Sequence, residues 1–119
     1  MTLPSEHETW VIEAGHEVLK KMAVAGLAGL VPLERLVYYL WVADYGMRNA
    51  GDLDAADDVC PHFQSEARLL AEELSLPAAR EAFALPPSVL QKEYDLHFEV
   101  ICQELKDALR KADIALGPE

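Results

Sequence analysis

Basic residues are scarce in this chain: 10 lysines and arginines stand against 21 aspartates and glutamates, a net charge of −11. Nucleic acid and anionic lipid are held mainly by clustered Lys and Arg, so this balance argues against both as direct ligands. Cysteine is equally sparse. Cys60 and Cys102 are the only two, which fits a reducing cytoplasm with two small core residues and leaves a disulfide between them open. Long apolar runs are missing as well. Met22 to Leu33 is interrupted by Gly26, Gly29 and Pro32, and it falls short of the roughly 18 residues that suggest a membrane span. The opening MTLPSEHETW has neither a basic segment nor an apolar core, so no secretory signal is expected and the expected location is cytoplasmic. Hairpin turn signals and short alternating segments are absent too, which excludes a strand-based fold. No repeat or low-complexity segment is visible.

What remains is a chain of 119 residues, long enough to bury a core without disulfides or metal and of the size of one domain, 1–119. Hydrophobic content of 51% with 26% charged residues argues against disorder. The acid excess favours solubility and steers basic partners towards the surface.

Helical spacing runs through the whole length. Ser5 and Glu8 form a capping-box pair that starts a first helix at Glu6. Its apolar stripe is Trp10, Ala14, Val18 and Met22, with early glutamates and late lysines that complement the helix dipole. Small residues from Ala23 to Gly29 loosen the chain before Pro32, a residue suited to a first helical turn. The second helix, about 33–50, contains eight consecutive apolar or aromatic residues, Leu36 to Ala43. A helix apolar on all sides is the one around which others pack. Gly51 suits the position just past its end. Asp44 and Arg48 continue the Leu33, Leu36, Val37, Leu40 stripe with a polar pair at a spacing of four.

Beyond Gly51, Asp52 or Asp54 can cap a short helix over Ala55 to Val59. Pro61 predicts a break, followed by a helix from Pro61 to Leu74. A short helix over Ala78 to Ala84 precedes Pro86 and Pro87. A long amphipathic helix then begins at Ser88, with Leu90, Tyr94, His97, Ile101, Leu105 and Leu109 on its stripe. The prediction is an all-α single domain of five or six helices packed around the central hydrophobic helix.

Chemistry-bearing constellations are thin. Glu13 and His16 have the Glu-x-x-His spacing of di-metal bundles, but the motif occurs once, and the plain reading of His16 is a surface histidine. A metal-dependent bundle enzyme using Glu13, His16 and His97 is the alternative of a different class. Cys60, His62, His97 and Cys102 supply zinc-ligand types, yet five residues along a helix rotate by about 140°, so His97 and Cys102 diverge. None of Ser5, Ser65, Ser75 and Ser88 lies in a nucleophile elbow, and no glycine loop carries the lysine a phosphate site needs. The aspartates after Gly51 lack the glycine and terminal glutamate of an EF-hand. No catalytic residue, cofactor or metal is therefore expected. Tyr38, Tyr39, Trp41 and Tyr45 read as core, and any face left uncovered among Tyr38, Tyr39 and Trp41 would suit a homodimer.

Trp41-x-x-Asp44-x-x-Met47-x-Asn49-Ala50-Gly51 resembles the W-x-x-D-x-E-V-x-N-G-G signature of a domain family of unknown function, DUF4375. The best-known member of that family is an acidic bacterial DNA mimic. The chain departs from the signature at Gly46, where the family has Glu, at Ala50, which replaces the first Gly, and at Asp52, where the family has an aromatic. The resemblance implies an all-α, non-enzymatic protein whose carboxylates imitate DNA phosphates towards a DNA-binding protein. On the residues themselves, Trp41 to Cys60 carries five acids and one base. One cluster of this kind suits a small basic site on a partner better than a long duplex mimic does. The expected function is binding of a basic protein surface through Asp52, Asp54, Asp57 and Asp58, while Trp41, Asp44, Arg48, Asn49 and Gly51 shape the end of the central helix. A toxin-neutralising immunity-type protein is the alternative within the same class.

Overall fold

The first helix is α1 (Glu6–Ala25), and in the computed structural model, which describes residues 6–116, most of the other described residues are helical too. The proposed Ser5 cap lies outside the described residues. A 3₁₀ turn (Leu27–Gly29) leads into α2 (Pro32–Ala50), followed by α3 (Leu53–Val59) and α4 (Phe63–Glu73). The chain continues through α5 (Pro77–Phe83), α6 (Pro87–Lys92) and α7 (Tyr94–Lys111). No strand occurs among the described residues, so the all-α class is as expected. None of these helices is long and apolar enough to cross a membrane.

The central role of α2 follows from its composition. Leu36 to Asp44 are all buried except Trp41, which is half-buried. Burial on every side requires neighbours on every side, and α1, α3, α4 and α7 supply them. Pro32 sits in the first turn, and the buried Glu34 side chain accepts a hydrogen bond from the Val31 N–H at 2.9 Å, capping one of the orphan donors there. The same carboxylate receives the Lys21 ammonium at 2.9 and 3.0 Å, which closes the corner between α1 and α2. At the other end Gly51 adopts a left-handed backbone (φ 73°) and donates its N–H to the Met47 carbonyl, the ending its sequence position predicts.

Two expected elements differ in detail. The helix predicted from Pro61 starts at Phe63, because Cys60 to His62 form a tight turn in which His62 has a positive φ of 66°. The helix predicted from Ser88 onward is divided into α6 and α7 by a non-helical Glu93 (φ −101°, ψ 14°), which raises the count to seven α-helices among the described residues. Gln64 bridges α4 to the end of α5 by donating to the carbonyls of Phe83 and Leu85. Glu104 ties α7 to the start of α5 by accepting from the N–H groups of Ala78 and Ala79.

Candidate interaction surface

The acidic stretch after Gly51 is presented on α3, and its position is set by apolar contacts beneath it. Leu53 and Ala56 are buried and face the core, which turns Asp54, Asp57 and Asp58 outwards on the opposite side. The approach to α2 is close. A Cβ on Gly46 would lie 2.7 Å from the Ala56 backbone nitrogen and 2.9 Å from the Asp52 carbonyl. The glycine at this position, where the resembling family has Glu, is therefore what lets α3 settle on α2.

The four predicted aspartates do not share one role. Asp52 caps α3, accepting from the Ala55 N–H at 2.9 Å, while the Leu53 N–H is met by the Gln91 side chain at 2.9 Å. Asp57 accepts from the His62 N–H at 3.1 Å and so holds the turn into α4. Asp54 and Asp58 are exposed. None of the four enters an ion pair among the described residues, whereas Lys21, Arg48, Arg68 and Arg110 each pair with an acid elsewhere. Glu66, in the exposed first turn of α4, joins this charge: it and Asp57 both raise the Cys60 thiol, adding to the larger effect of burial, while a hydrogen bond with Tyr38 pulls the other way. Glu66 lies eight residues beyond Asp58 with Pro61 between them, so only the α3–α4 turn reveals that it belongs to this corner.

The signature residues around the end of α2 are structural neighbours. Trp41 lies over Gly15 of α1, where an added Cβ would collide with its ring, and it stacks on Tyr38 and tilts against Tyr45. Asp44 is buried and accepts from Arg48 Nε at 2.6 Å and from the Tyr94 hydroxyl at 3.0 Å. Burial is the largest influence on Asp44 and raises its carboxyl above the ordinary value, against the downward pull of Arg48 and Tyr94. Tyr94 is pushed well above its own, by burial first and then by the Asp44 charge. The environment therefore keeps Tyr94 a donating phenol, while Arg48 and the Tyr94 hydroxyl only partly offset the cost of burying the Asp44 charge. Asn49 donates to the Tyr45 carbonyl at 2.8 Å.

The aromatic set divides. Tyr38 and Tyr39 are buried in the core, and burial pushes Tyr38 up to about 12. Trp41 and Tyr45 keep part of their surface. Glu13 and His16 lie on the exposed side of α1, and His97 on α7 pairs with Glu93 at 3.1 Å, so the structure does not gather the Glu13, His16, His97 set. The physical reason is helix phase: α1 turns Trp10, Ala14 and Val18 to the core, which sends Glu13 and His16 to solvent. No group of three His, Cys, Asp or Glu side chains suited to a metal occurs among the described residues. Cys60 and Cys102 are free thiols, the first half-buried and the second buried. Comparison with family models, curated proteins and solved structures finds no match to this chain.

Proposed function

We propose that this protein is a non-enzymatic interaction module that captures a basic protein surface on the α3–α4 corner, with Asp54, Asp57 and Asp58 as the contact and Asp52 setting the start of the ridge. One observation carries this reading: Asp54, Asp57 and Asp58 stand together within five residues with no ion pair among them, on a helix seated against α2 through Gly46, whereas the other exposed acids without an ion pair, such as Glu13, Glu73 and Glu81, are spread over separate helices. Unpaired carboxylates on a stiff support raise the rate and selectivity of association with a cationic partner, and the effect fades as salt screens it. A DNA-binding protein recognised by phosphate mimicry, as the resemblance around Trp41 to Gly51 implies, has a site of this chemistry. A basic toxin has one too.

Asp54→Asn, Asp58→Asn and Glu66→Gln combined remove three charges and leave the Asp52 cap and the Asp57 turn in place. Glu13→Gln, Glu73→Gln and Glu81→Gln combined remove three exposed charges elsewhere and match the net charge. Each protein is immobilised, exposed to native-cell extract and eluted with a salt gradient. The first variant should release the retained partner at lower salt than wild type, and the second should not. Equal elution from both variants would reduce the acidity to solubilisation.

A further inference from the structure

Two stretches 99 residues apart at His7 and Lys106 meet where the N-terminal turn of α1 crosses α7, and the residues just after α7 join them. Lys106 on α7 places its ammonium 2.9 Å from Nδ1 of His7 and 5.4 Å from the centre of the Trp10 ring. Trp10 is buried and donates its indole N–H to the Leu116 carbonyl at 3.1 Å. Residues 113–116 form a strap. Asp113 takes a positive φ of 58°, the Ile114 N–H returns to the Leu109 carbonyl, and Leu116 comes to rest by Trp10. Beneath the strap is a cleft of about 830 Å³ lined by Trp10, Leu109, Ile114 and Leu116 among others.

Hydrogen-bond chemistry determines the state of His7. An ammonium only donates, so the Nδ1 it touches must be an unprotonated acceptor, and the imidazole is the neutral tautomer with its hydrogen on Nε2. That Nε2 faces Glu99 at 3.8 Å. A second proton would place an N–H on Nδ1, against Lys106, and convert an acceptor–donor contact into two cations at the same distance. Nε2 would meanwhile gain attraction to Glu99. The charged groups that face the imidazole are Lys106 and Glu99, both on α7, while Glu6, Arg110 and Asp113 line the neighbouring cleft.

We infer that His7 is a proton-operated latch for the strap. Neutral His7 holds Lys106 over Trp10 with the indole bonded to Leu116. Protonated His7 turns to Glu99, displaces Lys106 and frees the strap from Trp10, opening the cleft. Gain of one proton on the imidazole is the whole chemical step.

The test is a titration of the full chain from pH 7.5 to 5.0, across the ordinary imidazole range. It follows the His7 ring nitrogens and the two indole protons by NMR. At pH 7.5 His7 Nδ1 should carry no hydrogen. The Trp10 indole proton should move upfield with the same midpoint as the His7 ring, as its bond to Leu116 is lost. His7→Gln keeps an acceptor for Lys106 but cannot take the proton, and it should abolish the Trp10 shift while leaving the Trp41 indole as in wild type. A Trp10 proton that stays in place in wild type, a shift that survives in His7→Gln, or an Nδ1 already protonated at pH 7.5 each overturns the latch. Should His7→Gln fail to fold, co-titration of His7 and Trp10 in the wild type decides the matter alone.

Discussion

Asp44 offers the sharpest test of the energetics. Its carboxylate is buried, with Arg48 Nε at 2.6 Å on one side and the buried Tyr94 hydroxyl at 3.0 Å on the other. Asp44→Ala removes both acceptors. Arg48 keeps about a third of its side chain in water and can rehydrate, but the Tyr94 hydroxyl is left buried without a partner. Stranding such a donor costs about 1–3 kcal/mol, and the small void adds about 1 kcal/mol, so a loss of roughly 2–4 kcal/mol is expected. Tyr94→Phe leaves the Arg48 contact intact and should cost about 1–2 kcal/mol. In the double variant no hydroxyl is orphaned. The two losses should therefore fail to add, with an interaction of about 1–2 kcal/mol. Asp44→Asn keeps an acceptor for Tyr94 and removes a charge whose burial the fold opposes, so it should cost less than half as much as Asp44→Ala. Urea unfolding of the four variants measures all of this. Additivity within about 0.5 kcal/mol, or an Asn variant as damaged as the Ala variant, would refute the account.

The same carboxyl sets a pH dependence. Its folded value is raised above the ordinary 3.8, so its contribution to stability is fully present below that point and is lost as pH rises through the folded value. The stability of Asp44→Asn relative to wild type should accordingly increase as pH rises above the ordinary carboxylate value in urea unfolding; a flat or falling difference contradicts the sign. Gly46→Ala would gain about 1 kcal/mol of helix propensity if space allowed. A Cβ 2.7 Å from the Ala56 backbone nitrogen has no flexible neighbour to push aside, so the melting temperature should fall, by about 1–3 kcal/mol in equivalent stability. A rise would show that α3 lies further from α2. Lys21→Met should cost about 1–2 kcal/mol by stranding the buried Glu34 carboxylate. Arg68→Met, from a pair exposed on both sides, should stay within about 0.5 kcal/mol. Equal effects of the two in thermal melts would show that burial is not what separates them.

Much of this architecture is legible in residue spacing because each helix carries its own instructions. Pro32 and Gly51 mark the ends of α2, and the unbroken apolar run Leu36 to Ala43 predicts a helix covered on all sides. Pairings across long sequence distances are not legible. Tyr94 reads as one more apolar position on the last helix, and nothing local shows that its hydroxyl meets Asp44 fifty residues earlier. Glu104 and Lys106 stand off the apolar stripe of that helix, yet one caps α5 and the other sits against Trp10 and His7. Gly46 is a departure when set beside a family signature, and its necessity appears only once the Ala56 backbone is seen against it. The division at Glu93 is likewise invisible, since Lys92, Glu93 and Tyr94 all tolerate a continuous helix.

The acidity of this chain is two populations that composition cannot separate. Glu34, Asp52, Asp57 and Glu104 accept backbone N–H groups at helix starts and turns, and Asp44 accepts from a buried phenol. Hydrogen-bonding demand explains these positions, and substituting any of them disturbs structure together with charge. Asp54 and Asp58 answer to no such demand: they neither cap nor pair, and they stand on the outer side of a seven-residue helix that buries only Leu53 and Ala56. A helix that short gains little stability from propensity, and two adjacent like charges near its C-terminal end, Asp57 and Asp58, oppose its dipole. The fold therefore tolerates a local electrostatic cost at α3 and offsets it with the Asp52 cap, the Gln91 contact and the close seat on Gly46. A surface selected for solubility alone could place those charges on any of the longer helices at no such cost. Asp54, in the first turn, complements the dipole, so the physical argument for a cationic partner at this corner is Asp58, placed beside Asp57 at the disfavoured end of a sterically braced helix.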